Sequence, residues 1–251
     1  MSKKNRERKK YGSGEGAVGP KNEMMKFYWI LGSVAVLGIV IVGYSVGSKA
    51  MADTVSEPIE MAGLEDPTKL MEVARGITKG DPNAPFTIME FADFQCPACG
   101  QFYAQVGQLI ESEFVKTGKA KFVYYDFPLT TVHPNAFLAA RAGHCAEDQE
   151  KFWEFHDVMY RNQNRWAGSQ NPTSNFEDYA KDLGLDANAF NACLESDKHA
   201  DVVTANMELG NQLHVPGTPT ILVTQGKGVG RKVESSIEGI RTAIEMMSTG
   251  G

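Results

Sequence analysis

Two cysteines three positions apart, Cys96 and Cys99, sit where an apolar strand gives way to a helix, and this junction constrains the chain more than any other feature. Ahead of them runs Phe86-Thr87-Ile88-Met89-Glu90-Phe91, a short apolar segment of strand length. Behind them Phe102, Val106, Leu109, Ile110 and Phe114 recur at helical spacing between Pro97 and about Thr117, and Gly118 supplies a stop. Ala120 to Phe127 then reads as a second strand closed by Pro128. A helix between two apolar strands implies parallel pairing through a right-handed crossover. The first thiol is thereby placed at a helix N-terminus, where unpaired backbone N–H groups and the helix dipole favour its thiolate. A dithiol in that position can cycle to a disulfide. The alternative, a zinc knuckle, needs four ligands. Cys145, Cys193 and the five histidines offer no second close pair such as CxxC or HxxxH. No metal and no cofactor are expected.

The rest of the chain is organised around that unit. Residues 134–214 are helical in pattern almost throughout: Pro134 opens one helix, and Phe152, Trp153, His156 and Met159 line another. Phe176 to Leu183, Asp186 to Leu194 and Asp201 to Leu213 complete the block. Val215-Pro216-Gly217-Thr218-Pro219 leads into a strand from Thr220 to Thr224, a short strand near Arg231-Lys232-Val233 and a final helix from Ile237 to Met247. The order is β–α–β, a helical insert, then β–β–α: an α/β fold. Upstream, Asp66-Pro67 supplies the N-cap and first residue of a short helix that Gly76 is expected to end. That helix falls in residues 48–77, expected to be a tether, with the folded domain beginning near Thr78.

Phe27 to Gly47 is an uninterrupted run of uncharged, mostly apolar residues. As a helix rising ~1.5 Å per residue it is long enough to cross the hydrocarbon core of a bilayer. Tyr28, Trp29 and Tyr44 suit the two membrane interfaces. Residues 1–26 hold eight lysines and arginines against three glutamates, a net charge of +5, which leaves −11 for the rest of a chain whose total is −6. Positive charge stays inside. The expected topology is therefore a basic cytoplasmic tail over residues 1–26, a single transmembrane anchor over 27–47 in the cytoplasmic membrane, and everything beyond on the periplasmic or extracellular face. A cleaved signal peptide, with Ala50-Met51-Ala52 as the small-x-small site, is the alternative; the lengths of the apolar run and of the basic head favour the retained anchor. The acidic globular part argues against nucleic acid as a partner. All four cysteines lie beyond the anchor, compatible with disulfides in an exported, oxidising compartment.

The run Glu90-Phe91-Ala92-Asp93-Phe94-Gln95-Cys96-Pro97-Ala98-Cys99, followed by Phe102 and, far downstream, Gly217-Thr218-Pro219-Thr220, resembles the DsbA-like thiol:disulfide oxidoreductases. Ala146-Glu147-Asp148-Gln149 and Lys151-Phe152-Trp153-Glu154 are similar to that family's helical insert, so the resemblance covers about residues 78–250. It implies a thioredoxin fold with an inserted helical domain and disulfide exchange with exported client proteins that carry free or mispaired cysteines. It also implies a membrane redox partner that recycles the dithiol. Cys96 resembles the exposed nucleophile that forms a mixed disulfide with a client thiol, and Cys99 the buried partner that resolves it. Glu90, six residues before Cys96, matches the buried carboxylate beneath the dithiol and is expected to take the proton from Cys99; its alternative is a solvent-facing strand residue. Pro219 resembles the family's cis-proline, with Thr218 presenting its backbone to an extended client peptide. Some members carry a structural disulfide like a Cys145–Cys193 pair, for which two free buried thiols are the alternative.

Two departures bear on the direction of electron flow. Pro97-Ala98 lacks the histidine that strongly oxidising members often carry in the second place, leaving backbone N–H groups and the helix dipole to stabilise a Cys96 thiolate. Weaker oxidation is therefore expected. Thr218 differs from the valine of some members, which keeps a reductase or isomerase of the same fold open. A tethered binding module or chaperone with a structural CxxC is the alternative outside that class. His133, His144 and His156 are read as polar edge or satisfied core residues rather than ligands. Phe94, Trp153 and Trp166 are candidates for a client groove, with core packing preferred for Trp153.

Overall fold

The computed structural model describes Tyr28, Trp29, Leu31 and residues 54–249 other than 227 and 229. The chain divides into two units, Met1–Ala52 and Asp53–Gly251. The expected tail and anchor lie outside the described residues except for Tyr28, Trp29 and Leu31; among the described residues no helix is long and apolar enough to cross a membrane.

The second unit is built on one five-stranded sheet. Its strands are β1 (Ile77–Lys79), β2 (Phe86–Ala92), β3 (Ala120–Asp126), β4 (Thr220–Gln225) and β5 (Arg231–Val233), arranged β1-β3-β2-β4-β5. β2 runs parallel to β3, with Ile88 opposite Phe122 and Glu90 opposite Tyr124. It runs antiparallel to β4, which sets Glu90 opposite Ile221. A central strand covered on both faces must be apolar on both, and Ile88, Phe91 and Ala92 are buried accordingly. α1 (Pro67–Val73) precedes the sheet, with Asp66 as its N-cap. It ends on Ala74, not at Gly76.

Pro97 to Val115 forms one continuous helix, α2, whose regular turns alternate with two π-helical turns at Tyr103–Gly107 and Glu111–Val115. The sequence explains the widening. Phe102, Val106, Ile110 and Phe114 repeat every fourth residue, and on a regular helix each such step drifts by ~40°. π turns hold more residues and return all four side chains to the sheet, where they are buried with Phe86, Ile88, Phe122 and Ile221. α9 (Ile237–Thr249) shares this layer through Ile240 and Ile244.

Between β3 and β4 lie six helices: α3 (Ala136–Glu147), α4 (Phe152–Arg161), α5 (Gln163–Trp166), α6 (Thr173–Asp182), α7 (Ala187–Glu195) and α8 (Ala200–Gln212). Their own core gathers Phe155, Met159, Trp166, Phe176, Phe190 and Leu194, all buried. The result is the expected α/β thioredoxin fold with a helical insertion.

Two further features depart from expectation. β1 is a three-residue edge strand with too few residues to display an alternating pattern. Residues 54–77, expected as a tether, are packed onto the domain. Leu64 and Leu70 are buried beside Ala205 of α8, Arg141 Nη1 donates to Val55 O at 2.6 Å, and Ile59 N donates to Thr204 Oγ1 at 3.2 Å. The ordered domain thus starts well ahead of Thr78.

A buried ionic chain joins that segment to the sheet. His144 on α3 contacts Asp126 Oδ2 of β3 at 2.8 Å through Nε2 and Glu147 Oε2 at 2.7 Å through Nδ1. Glu147 in turn holds Arg75 at 2.5 Å, and Asn206 Nδ2 donates to Asp126 Oδ2 at 3.1 Å. Burial opposes a charge on His144, but Asp126 and Glu147 outweigh it and push the pKa up to about 9. A raised pKa stabilises the fold fully below the unfolded value of ~6.5 and loses that contribution as pH rises through the folded one. His144→Gln is therefore expected to cost about 3–5 kcal/mol near pH ~6, with the deficit shrinking as pH rises from there and gone above a pH of about 9. Denaturant unfolding of both proteins across pH checks this; a pH-independent deficit would refute it.

Candidate active site

The strand-to-helix junction sets the geometry of the dithiol. β2 ends at Ala92, Asp93 to Gln95 turn the chain, and Cys96 is the N-cap of α2 with φ −69° and ψ 121°. Pro97 follows at the first helical turn, where a missing N–H costs nothing. Cys96 and Cys99 are free thiols, Cys99 wholly buried and Cys96 nearly so. The Thr218–Pro219 peptide is cis and brings the Thr218 carbonyl to 3.4 Å from Cys96 Sγ, whose S–H donates to it. Asp93 N–H points at Cys99 Sγ from 3.5 Å.

The two thiols are driven apart in acidity. Cys96 is lowered to about 5, chiefly because the Cys99 thiol donates to it; burial opposes the shift, while the Thr218 side chain and the backbone N–H groups of Cys99 and Ala98 assist. Cys99 is pushed far above its ordinary value by burial, by Cys96 and by the Glu90 charge. The donor set is richer than the sequence alone suggests. The Thr218 hydroxyl is buried without a hydrogen-bond partner, and the Thr218 side chain is among the groups that favour a Cys96 thiolate.

Glu90 is buried on β2, not facing solvent, and burial alone raises its pKa to about 8. It lines a cavity of about 470 Å³ shared with Phe102, Tyr103, Trp153 and His156, with Lys79 and Arg161 among the charged residues around it. Trp153 is partly buried on Phe122, and Lys79 Nζ lies 5.0 Å over its ring. Phe94 and Trp166 are core residues, 1% and 0% exposed, and take no part in a client groove. Cys145 and Cys193 are joined by a disulfide between α3 and α7 with a Cα–Cα distance of 5.8 Å.

The site also uses residues that the sequence reading passed over. The buried Asp93 carboxylate accepts from Gln95 N at 2.7 Å and Leu129 N at 2.9 Å and contacts His133 Nδ1 at 2.7 Å. Its carbonyl accepts from Cys96 N at 3.1 Å. From the insert, Gln163 Nε2 donates to Phe94 O at 2.7 Å and Cys96 O at 2.9 Å. Gln95 Oε1 accepts from Asn135 N at 2.7 Å. Two polar residues, Asp93 and Gln95, in an otherwise apolar approach to Cys96 were the available signal. Asp93→Ala leaves two amides and His133 without their acceptor, at about 1–3 kcal/mol for each donor that stays buried and unpaired. Lower stability in denaturant unfolding and faster alkylation of Cys99 are expected; a variant unchanged in both would show that the turn is held otherwise.

Comparison with known proteins agrees with this geometry. The family model described as Thioredoxin matches residues 72–246. A Na(+)/H(+) antiporter NhaA 1 of Salinispora arenicola is 34% identical over 68% of this chain and 24% of its own length. The chain spans less than a third of the length of the first three curated relatives it matches. A probable disulfide bond formation protein D of Bacillus cereus is 28% identical over 57% of this chain and 68% of its own. Among solved structures, alpha-DsbA1 of Wolbachia pipientis superposes with a TM-score of 0.59 at 23% identity, covering 68% of this chain and 89% of that one. The chain belongs to the thioredoxin family, and it is similar in sequence to the disulfide bond formation protein D and in fold to alpha-DsbA1.

Proposed function

We propose that the chain is a membrane-anchored, extracytoplasmic thiol:disulfide oxidoreductase that introduces or exchanges disulfides in exported proteins. The observation that carries this reading is the asymmetric dithiol: Cys96, lowered to about 5, lies against the Thr218 carbonyl, while Cys99 is wholly buried. In the oxidised form a client thiolate attacks Cys96 Sγ, the Cys96–Cys99 bond breaks, and Cys99 leaves with the electron pair and takes up a proton. A second client thiolate then attacks the client sulfur of the mixed disulfide and expels Cys96 as a thiolate. A low pKa makes Cys96 a good leaving group in that step. The client has lost two electrons, and a membrane redox partner removes them from the dithiol. The Thr218 backbone offers an extended client segment a strand-like edge beside Cys96.

Glu90, whose charge acts on the Cys99 thiol, is the candidate to exchange a proton with Cys99, and the cavity it lines is a route for that proton. The apolar run 27–47 and the basic residues before it support the anchor and the outward orientation of the domain.

The equilibrium redox potential of residues 53–251 against glutathione tests the direction. A value between about −120 and −180 mV is expected; one near thioredoxin's roughly −270 mV would make the protein a reductase. Cys96 alkylation is expected to titrate near pH 5, and Cys96→Ser to abolish exchange; exchange that survives this substitution would remove the dithiol from the reaction.

Glu90 yields a separate prediction. Its folded pKa is raised, so its contribution is full below the unfolded value of ~4.3 and declines as pH rises toward about 8. Glu90→Gln is expected to stabilise the protein by about 3 kcal/mol near neutral pH while slowing release of the mixed disulfide and removing a rate change centred near pH 8. A variant with unaltered stability and an unaltered pH profile would assign Glu90 no role.

A further inference from the structure

The insert brings together a second set of sulfur, imidazole and carboxylate groups. Asp148, which follows α3, holds His199 Nε2 at 3.0 Å and Lys198 Nζ at 2.8 Å on the same Oδ2 oxygen. That oxygen lies 3.6 Å from Cys193 Sγ. The ligand atoms of Asp148, Cys193 and His199 all fall within 4.8 Å of one another, the one such group of three among the described residues. Cys145, three residues before Asp148, contributes the sulfur bonded to Cys193. A cavity of about 380 Å³ lined by Cys145, Asp148, Cys193, Ser196 and Lys198 leads to the sulfurs. His199 is a non-glycine residue at φ 66°, and its ring stacks on His144 at 5.3 Å. Residues held in that sparsely populated region tend to mark functional positions.

We propose that Cys145, Asp148, Cys193 and His199 form a zinc site that is closed while the disulfide stands and opens when it is reduced. A tetrahedral zinc with Zn–S near ~2.3 Å and Zn–N or Zn–O near ~2.0 Å separates its ligand atoms by roughly 3.3–3.8 Å. The sulfur-to-carboxylate distance of 3.6 Å and the imidazole-to-carboxylate distance of 3.0 Å are already near that range. On reduction the two sulfurs move apart to van der Waals contact, close to the sulfur-to-sulfur edge of such a site, and the Cys145 side chain turns to bring its sulfur toward Asp148 and His199. Lys198 now balances Asp148; its side chain is 53% exposed and can swing into solvent when a dication takes its place.

The redox step is a two-electron exchange. An external dithiol gives up two electrons and two protons, its own S–S bond forms, and the Cys145–Cys193 bond breaks to two thiols. Zinc then displaces both thiol protons without changing oxidation state. A disulfide oxidant reverses the sequence, re-forms the Cys145–Cys193 bond and expels the metal. The insert thus keeps a cross-link between α3 and α7 in both states. This inference goes beyond the disulfide exchange proposed for Cys96 and Cys99 and does not depend on it.

The test uses the full chain with Cys96→Ser and Cys99→Ser, which removes the other dithiol as a zinc ligand. Zinc uptake is measured against a chromophoric chelator before and after reduction by a phosphine, and cobalt uptake by its thiolate charge-transfer absorption. The oxidised protein is expected to take up no zinc and the reduced protein one equivalent, released again by glutathione disulfide. Asp148→Asn and His199→Gln are each expected to weaken binding by at least about tenfold, the loss that even outer partners of a ligand set cause. A reduced protein that binds no zinc, or variants that bind as tightly as their parent, would overturn the site. Circular dichroism follows the fold: helix lost on reduction and restored by zinc supports the proposal, and helix that stays lost with zinc present overturns it.

Discussion

The turn between β2 and α2 depends on one buried carboxylate. Asp93 accepts two backbone amides and the His133 ring while its own N–H and C=O reach Cys99 Sγ and Cys96 N. A carboxylate with that many donors is well satisfied despite its burial. Both cysteines are therefore positioned by the main chain of a residue whose side chain is fixed, and the thiols inherit the precision of the sheet. The helical insert adds Gln163 to the same turn. It thereby serves as part of the site's frame as well as its cover.

Much of this was legible beforehand because it rests on local signals. The apolar run before Cys96, the Pro97 helix start and the four-residue repeat in α2 identify strand, junction and helix without tertiary information. Asp66, Pro67 and Asp186 mark helix starts that the structure places within a residue of expectation. Signals fail where contacts are distant. β1 owes its conformation to pairing with β3, with Ile77 opposite Tyr124, and three residues carry no period of their own. Residues 54–77 look like a spacer because their apolar side chains are sparse, yet Leu64 and Leu70 meet a prepared surface on α8. Asp93 was visible as a residue, but its role depends on Leu129 and His133, which lie 36 and 40 positions away.

The acidity of Cys96 shows how a missing side chain is replaced. Pro97 and Ala98 offer no donor, and the sequence alone leaves the helix end as the source of thiolate stabilisation. The structure adds two more, the Cys99 thiol and the Thr218 side chain. Neither is a cation, so neither needs a counter-charge once the site oxidises. Stabilisation by neutral donors is also less sensitive to salt than stabilisation by a charged neighbour. Cys99, buried and raised, cannot compete as nucleophile. Selectivity for the first thiol is thus a property of burial as much as of the helix end.

Two buried carboxylates on neighbouring strands illustrate how neighbours decide between structural and chemical roles. Asp126 on β3 meets His144 and Asn206 and belongs to a chain of opposite charges that reaches Arg75. Glu90 on β2 stands opposite Tyr124 and Ile221, with no cation as its ion-pair partner among the described residues. The first is a buried ion pair, costly to break from either side. The second keeps its proton near neutral pH at the expense of stability, which no packing argument requires of a strand residue. A buried acid left without a counter-charge is costly to the fold, and the proton transfer proposed for Glu90 at the dithiol is a physical reason for such a residue on β2.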